Sequence, residues 1–291
     1  MAEWVLGTAN FGIKYGITNK SELAESQIAR IIETAYRAGI KKLDTAQSYL
    51  NSEELIGNNL QSKKFSVTTK IELTNNTDHK DVINLIKKSL STLNLTSISS
   101  VLMHSPKSLD NLQIREINKG FETAIRKGLI ENYGVSVYEV SDVSQALKYF
   151  PDARAYQIPD NIIDQRTLHS DLLTNLKSKG YSLQLRSIFL QGLLLTDYSE
   201  IDSKVSSLKP YLIEFSRYCT KLKMSNINAC LSYAISVPWA SEILFSVNST
   251  NQLEKFIVEL TGLREINLDS VKYLSASHIK EIDPRNWRAR N

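Results

Sequence analysis

The sequence predicts an α/β protein folded as a single closed (β/α)8 barrel, and three observations carry the prediction. Eight short apolar runs recur along the chain, centred near Leu6, Leu43, Val67, Val101, Gly134, Gln157, Leu185 and Leu244, and eight is the strand count of a closed parallel barrel. Between them lie stretches with apolar residues at helical spacing, and strands alternating with helices over short connections imply parallel neighbours joined by right-handed crossovers. No low-complexity tract or Pro/Gly-rich linker interrupts the chain, so residues 1–291 read as one domain. The fold class is therefore α/β, a TIM barrel, with a long loop and an extra helix after the seventh strand and a C-terminal tail.

The helices justify themselves in order. Ile28, Ile31, Ile32 and Ala35 share one face, and Gly39 stands where a C-terminal cap belongs. Val82, Leu85, Ile86, Leu90 and Leu93 repeat the pattern after Asp78, a suitable N-cap. Ile114, Ile117, Phe121, Ala124 and Ile125 do so again, and Gly128 ends that helix. The interval 186–244 is exceptional. It opens with the apolar loop FLQGLLLTDYSE and continues through helical stretches at 206–222 and 226–237. Loops of this length inside compact domains are usually functional, and in a barrel this one leaves the end of strand seven, where phosphates commonly bind. A last helix at about 252–260 is followed by a tail carrying DPRNW.

Composition excludes several classes of function. A net charge of +4, from 35 basic and 31 acidic residues without a polybasic run, indicates neither a nucleic-acid surface nor one for anionic membranes. Cys219 and Cys230 are too few for a disulfide framework or a four-ligand zinc site, which suits a reducing compartment. No apolar run approaches the roughly 20 residues of a membrane span, and MAEWVLGT has no charged-then-apolar leader. The expectation is a soluble cytoplasmic protein.

The chemistry gathers at strand ends. DTAQSYLNSE, residues 44–53, follows the second apolar run, so Asp44 closes a strand and Tyr49 stands in the loop above it. FSVTTK ends the third strand with Lys70, and ISSVLMH ends the fourth with His104. Taken singly these are ordinary residues: a turn or capping Asp, a loop Tyr, a surface Lys, a turn His. In order, at the ends of strands two to four, they converge only if those strands are parallel neighbours. The pattern resembles the aldo-keto reductase family, whose catalytic four are an Asp and a Tyr in a DxAxxYxxSE setting, a Lys in a TK pair and a His in an LxH run. The resemblance implies carbonyl reduction without a metal. An alkoxide formed by hydride transfer needs a proton donor, and a tyrosine with a pKa of about 10 serves better if an ammonium beside it, itself anchored by a carboxylate, lowers that value. Tyr49, Lys70 and Asp44 would fill those roles, and His104 would orient the substrate oxygen.

No GxGxxG follows a strand, so a Rossmann nucleotide fold is not supported. The resemblance implies instead NADPH or NADH extended across the barrel mouth. Ser136 and Gln157 would hold the nicotinamide carboxamide, while Val137 replaces the family's usual Asn. Arg186 occupies the place where many members stack a tyrosine on the nicotinamide. Ser187, Leu190 and Gly192 would line the pyrophosphate chiefly through backbone N–H groups. Ser246, Asn248 and Gln252 fall on adenosine-end positions. Ser249 replaces a basic residue that often grips the 2′-phosphate, which weakens the usual preference for NADPH, and Lys255 is a substitute cation. Phe11, Tyr15 and Tyr198 are candidate substrate-pocket walls. LRSIFLQGLLL and the DPRNW tail are similar to a subgroup associated with sugar and surface-polysaccharide pathways, implying a keto-sugar substrate. A rival reading is a cofactor-sensing subunit resembling potassium-channel β-subunits, and another is an aldolase with Lys70 as Schiff-base lysine.

Overall fold

The structure, a computed structural model, describes residues 2–13, 16, 23–60, 64–74, 76–104, 109–198, 201 and 203–287. Strands β1 (Glu3–Gly7), β2 (Lys42–Asp44), β3 (Ser66–Ile71), β4 (Ile98–His104), β5 (Ile130–Ser136), β6 (Ala155–Pro159), β7 (Ser182–Arg186) and β8 (Glu242–Phe245) pair in parallel in sequence order. The β1–β8 pairing closes the barrel. All eight apolar runs of the sequence fall on these strands.

Helices α1 (Ala9–Gly12), α2 (Glu25–Arg37), α3 (Ser52–Asn59), α4 (His79–Thr92), α5 (Asn111–Arg126), α6 (Val140–Tyr149), α7 (Asp171–Ser178), α8 (Lys209–Leu222), α9 (Asn226–Ser236) and α10 (Thr250–Leu260) complete the order. The end signals act as expected. Asp78 accepts from the N–H groups of Lys80 and Asp81 at the start of α4, and Gly39 and Gly128 take the left-handed conformation just past α2 and α5. The expected buried face of α5 needs one correction. Its buried stripe is Ile117, Gly120, Phe121 and Ala124, and Ile125, one residue round the helix from Ala124, is exposed.

Between β7 and β8 the described residues include short 3-10 stretches, then α8 and α9, which bury the free thiols of Cys219 and Cys230. The tail folds back as 3-10 turns. The Ala276 N–H donates to the Ile163 carbonyl, Trp287 is buried and donates to the Glu281 carbonyl, and the Arg285 guanidinium lies 3.5 Å from the ring centre of Tyr138, just beyond β5. The tail thus reaches the C-terminal mouth of the barrel. Among the described residues no helix is long and apolar enough to cross a membrane.

The two faces of the sheet differ in chemistry. Outward residues such as Leu43, Val67, Ile71 and Val101 join the apolar core beneath the helices. The interior is polar, as its bonds between non-neighbouring strands show: Gln157 of β6 donates to Asp44 of β2, and Gln184 of β7 reaches Thr68 of β3. Such bonds can only cross the barrel.

Candidate functional site

The loop after β2 is held by its own motif. Thr8 donates to the Asp44 carbonyl through both N–H and hydroxyl, and the Ser52 hydroxyl reaches the Thr8 carbonyl and Thr8 Oγ1. Glu53 accepts from Thr69 Oγ1 at 2.6 Å. The terminal Ser-Glu of DTAQSYLNSE therefore clamps the loop to β1 and β3. A Cβ on Gly12 would stand 1.8 Å from the Tyr49 carbonyl oxygen, so α1 packs against the backbone that carries the phenol. Leu50 turns the chain into α3 through a left-handed φ of 50°, a conformation that costs a non-glycine residue energy and clusters at functional sites.

Inside this frame Lys70 Nζ lies 2.5 Å from Asp44 Oδ1, with both side chains almost wholly buried, and it also donates to the Thr45 carbonyl at 3.0 Å. The same ammonium lies 5.5 Å from the ring centre of Tyr49. The His104 ring stands edge-on to that of Tyr49, centres 6.4 Å apart. Burial first, then the charges of Lys70 and Arg186, pushes His104 down to about 4, so it is neutral near pH 7. Its Nδ1 sits 3.3 Å from Ser48 Oγ. Asp44, Tyr49, Lys70 and His104 are thus together at one end of the barrel. The expected lowering of the phenol is reversed. Burial first, and then Asp44, raises the Tyr49 pKa, while Arg186 pulls it down. The main physical reason is that burial disfavours the charged phenolate; in addition, Asp44 compensates Lys70 at contact distance, so the pair presents the phenol with little net positive field.

A relay of amides runs from Asp44 through the interior. Gln157 Nε2 donates to Asp44 Oδ2 at 2.7 Å and to Gln184 Oε1 at 2.9 Å, and Gln184 Nε2 donates to Glu242 Oε2 at 2.7 Å. Glu242 is paired in turn with Lys42 at 2.7 Å. A carboxylate only accepts, so Glu242 dictates that Gln184 presents its nitrogen there and its oxygen to Gln157. Gln157 must then present nitrogen to both neighbours, which leaves its Oε1 as the atom available to the mouth.

A cavity of about 710 Å³ opens above these residues, from Asp44, Tyr49, Gln157 and Arg186, past Ser187, Gln191 and Gly192, to Ser246, Asn248, Gln252 and Lys255. Its middle wall includes backbone in the left-handed region at Ser187, Gln191 and Gly192, two of them not glycine. Leu190 is a correction: it is buried in the core, and its N–H donates to the Ser187 carbonyl, as that of Gly192 does to Phe189. Those two N–H groups are engaged within the loop and do not face a ligand. Ser136 is buried at the end of β5, in register with His104 and Gln157. At the far end Ser249 caps α10 by accepting from the Gln252 N–H, and Gln252 Oε1 accepts from the Asn248 N–H at 2.6 Å.

Arg186 does not lie free over the cavity. Its guanidinium donates to the Val137 carbonyl at 3.0 Å and to Ser187 Oγ at 3.2 Å, and packs 4.5 Å from the ring centre of Tyr138. Two expected pocket walls lie elsewhere. Phe11 is buried in the core, because α1 turns that face inward, and the Tyr198 hydroxyl is engaged with the Leu194 carbonyl and the Asn226 amide. Tyr15 lies outside the described residues.

Residues 3–275 match the model of the Aldo/keto reductase family. The chain belongs to this family. A curated relative, the NAD/NADP-dependent indole-3-acetaldehyde reductase of Schizosaccharomyces pombe, is 22% identical over 96% of this chain and 94% of its own. Among solved structures, the holo form of aldo-keto reductase AKR11C1 from Bacillus halodurans superposes with a TM-score of 0.78 at 17% identity, covering 94% of this chain and 92% of that one. Bombyx mori aldo-keto reductase AKR2E4 in complex with NADP gives 0.71 at 19% identity, covering 97% and 92%. At such identities the structures establish the shared barrel.

This aldo-keto reductase also has site residues that the sequence reading passed over. Gln184 and Glu242 complete the relay, and Tyr138 packs against two arginines, Arg186 and Arg285. Asn10 lines the cavity with its Nδ2 bonded to Asn248 and the Val247 carbonyl, while its buried Oδ1 has no partner among the described residues. The TANF stretch held the only signal for Asn10, a polar residue inside an otherwise small or apolar run.

Proposed function

We propose that this protein reduces the carbonyl group of a small-molecule aldehyde or ketone with NADPH or NADH, Tyr49 delivering the proton. The observation that carries the reading is the buried Lys70–Asp44 pair beside the Tyr49 ring, at one end of a cavity that runs on to the N-terminus of α10. The cavity suits an extended dinucleotide in size and in chemistry. About 300–1,000 Å³ is the usual range for ligand pockets, Gln157 offers a carbonyl oxygen to a carboxamide, the orphaned Asn10 Oδ1 accepts from a ligand donor, and Lys255 near the start of α10 favours the 2′-phosphate of NADPH.

Bound there, a reduced nicotinamide supplies hydride to the carbonyl carbon. This chain's residues do the rest. Gln157 and Ser136 hold the carboxamide end, Ser187 and Gln191 border the pyrophosphate, and Ser246, Asn248 and Gln252 border the adenosine. Neutral His104 gives the substrate oxygen a hydrogen-bonding partner without adding a second charge. Tyr49 passes its proton to the oxygen as negative charge develops, and solvent returns one afterwards. A raised phenol pKa keeps that proton in place at neutrality, and an alkoxide is basic enough to take it. Lys70 stabilises the phenolate left behind, and Asp44 keeps the amine charged and aimed. An amine held as ammonium in a buried ion pair is a poor nucleophile, which speaks against the Schiff-base reading.

The test is fluorescence titration with NADPH and NADH, followed by coenzyme oxidation over a panel of aldehydes and ketones. Binding with turnover of at least one carbonyl, and tighter binding of NADPH, is expected. Binding without consumption on any substrate would favour the cofactor sensor.

A further inference from the structure

We infer that the substrate of this reductase carries an anionic group, a carboxylate or a phosphate within a few bonds of the reacting carbonyl, and that Arg186 receives it. This rests on the carbonyl-reductase reading and adds the substrate class. Arg186 ends β7 and lines the same cavity wall as Asp44 and Tyr49. It is half-buried, yet no carboxylate pairs with it among the described residues. Its polar partners are neutral, the Val137 carbonyl and Ser187 Oγ. The neighbouring cations are treated differently. Lys70 is paired with Asp44, Arg166 with Asp164 and Glu139, and Arg285 with Asp283.

Two guanidiniums, those of Arg186 and Arg285, lie within 4.5 Å of the one Tyr138 ring centre, and among the described residues only Arg285 has a carboxylate of its own. A partly desolvated cation without a counter-charge is costly unless a ligand supplies one. The acid just beyond β6, Asp160, does not serve: its carboxylate is turned to Tyr233 and Thr167, and only its backbone N–H reaches the Arg186 carbonyl.

The position of Arg186 fixes where the anion goes. Arg186 lines the cavity together with Asp44, Tyr49 and Gln157, so it flanks the place where the carbonyl oxygen must sit. Two of its N–H groups are engaged, and the planar fork has others to offer a carboxylate or phosphate in the paired geometry that lysine lacks. Tyr138, braced from the tail by Arg285, packs against the guanidinium. A negative group there also compensates the positive charge that develops on the nicotinamide during hydride transfer, which an unaccompanied arginine would oppose. On the far side of the imidazole, Glu72 lies 3.7 Å from His104 and is mostly exposed, which disfavours a second anion there and orients the substrate.

The experiment compares kcat/KM with saturating NADPH for pairs of carbonyl compounds matched in size: succinic semialdehyde against butanal, 4-carboxybenzaldehyde against its methyl ester, and glyceraldehyde 3-phosphate against glyceraldehyde. The proposal expects the charged member to lead by about tenfold or more in at least one pair. The carboxylate and phosphate pairs tell which anion is meant. The lead should fall towards unity in Arg186→Met, survive in part in Arg186→Lys, and shrink with added salt. Neutral members equal to or better than their partners in every pair, or an unchanged lead in Arg186→Met, would overturn it while leaving carbonyl reduction intact. Failure of all six compounds to consume NADPH would overturn the reductase reading and this one with it.

Discussion

The two ends of the strand layer beside the cavity are built on opposite rules. At the β2–β3 end the buried charges are answered, Lys70 by Asp44 and Asp44 by Gln157, and the chain of bonds runs on through the barrel interior to Gln184 and Glu242. The scaffold is parallel ladder, and residues 45 and 47 extend it by donating to the Thr68 and Lys70 carbonyls. At the β7 end the backbone enters the left-handed region at Ser187, Leu190 and Gln191, and no carboxylate among the described residues pairs with the Arg186 cation. The first region is complete without a ligand and therefore rigid. The second carries strain and an unanswered charge, which is how a binding surface differs from a catalytic frame. The contrast teaches that chemistry here is held by satisfied hydrogen bonds, whereas recognition is left to what the ligand brings.

The largest effect is expected where the satisfied region is broken. Lys70→Met leaves the Asp44 carboxylate buried without its cation, a change that costs about 3–5 kcal/mol, so denaturant unfolding should shift far below wild type and turnover should vanish. A midpoint close to wild type would show that the pair is not structural. A smaller effect is expected for Gln184→Leu, which leaves the Gln157 amide anchored by Asp44 alone and so less firmly aimed. Wild type should prefer NADP to its 3-acetylpyridine analogue, which lacks the carboxamide NH₂, by roughly the worth of one hydrogen bond, about 1 kcal/mol. The preference should shrink in the variant. An unaltered preference with a lowered midpoint would reduce Gln184 to a packing role.

The smallest effect concerns pH. The folded-state pKa of His104 is about 4, below its ordinary value of 6.5, so the unfolded chain binds more protons between those limits. Stability from this group is therefore present above pH 6.5 and is lost as pH falls towards 4. Replacing His104 by Gln should flatten that part of the stability profile, as urea midpoints across the window would reveal. A profile as steep as wild type would assign the slope to other groups.

The strand-end cluster was legible because its residues sit in motifs whose spacing follows the ladder: an acid closing β2, a lysine in β3 and a histidine closing β4 must meet once those strands are parallel neighbours. The relay was not. Gln157, Gln184 and Glu242 are register partners along β6, β7 and β8, but their links to Asp44 and Lys42 of β2 arise only once the barrel closes, and no local pattern announces a contact between β2 and β8 or β6. The loop after β7 was legible as functional from its length, but its conformation was not, because Ser187, Leu190 and Gln191 adopt positive φ without being glycine or asparagine. Leu190 was accordingly expected at the cavity and is in the core. Phe11 and Tyr198 failed for a related reason: an aromatic near a mouth in sequence gives no sign of which way its short helix or turn faces. Ile125 on α5 shows the same limit by a single residue of rotation.

The central claim is that Tyr49 is the proton donor, and Tyr49→Phe tests it most directly, since one oxygen is removed from a ring that otherwise stays packed beside Lys70. With a carbonyl compound that wild type reduces, the account predicts NADPH binding within a few-fold of wild type and a turnover rate reduced by roughly 10²–10⁴, the worth of a positioned general acid. Turnover by Tyr49→Phe at the wild-type rate would contradict it.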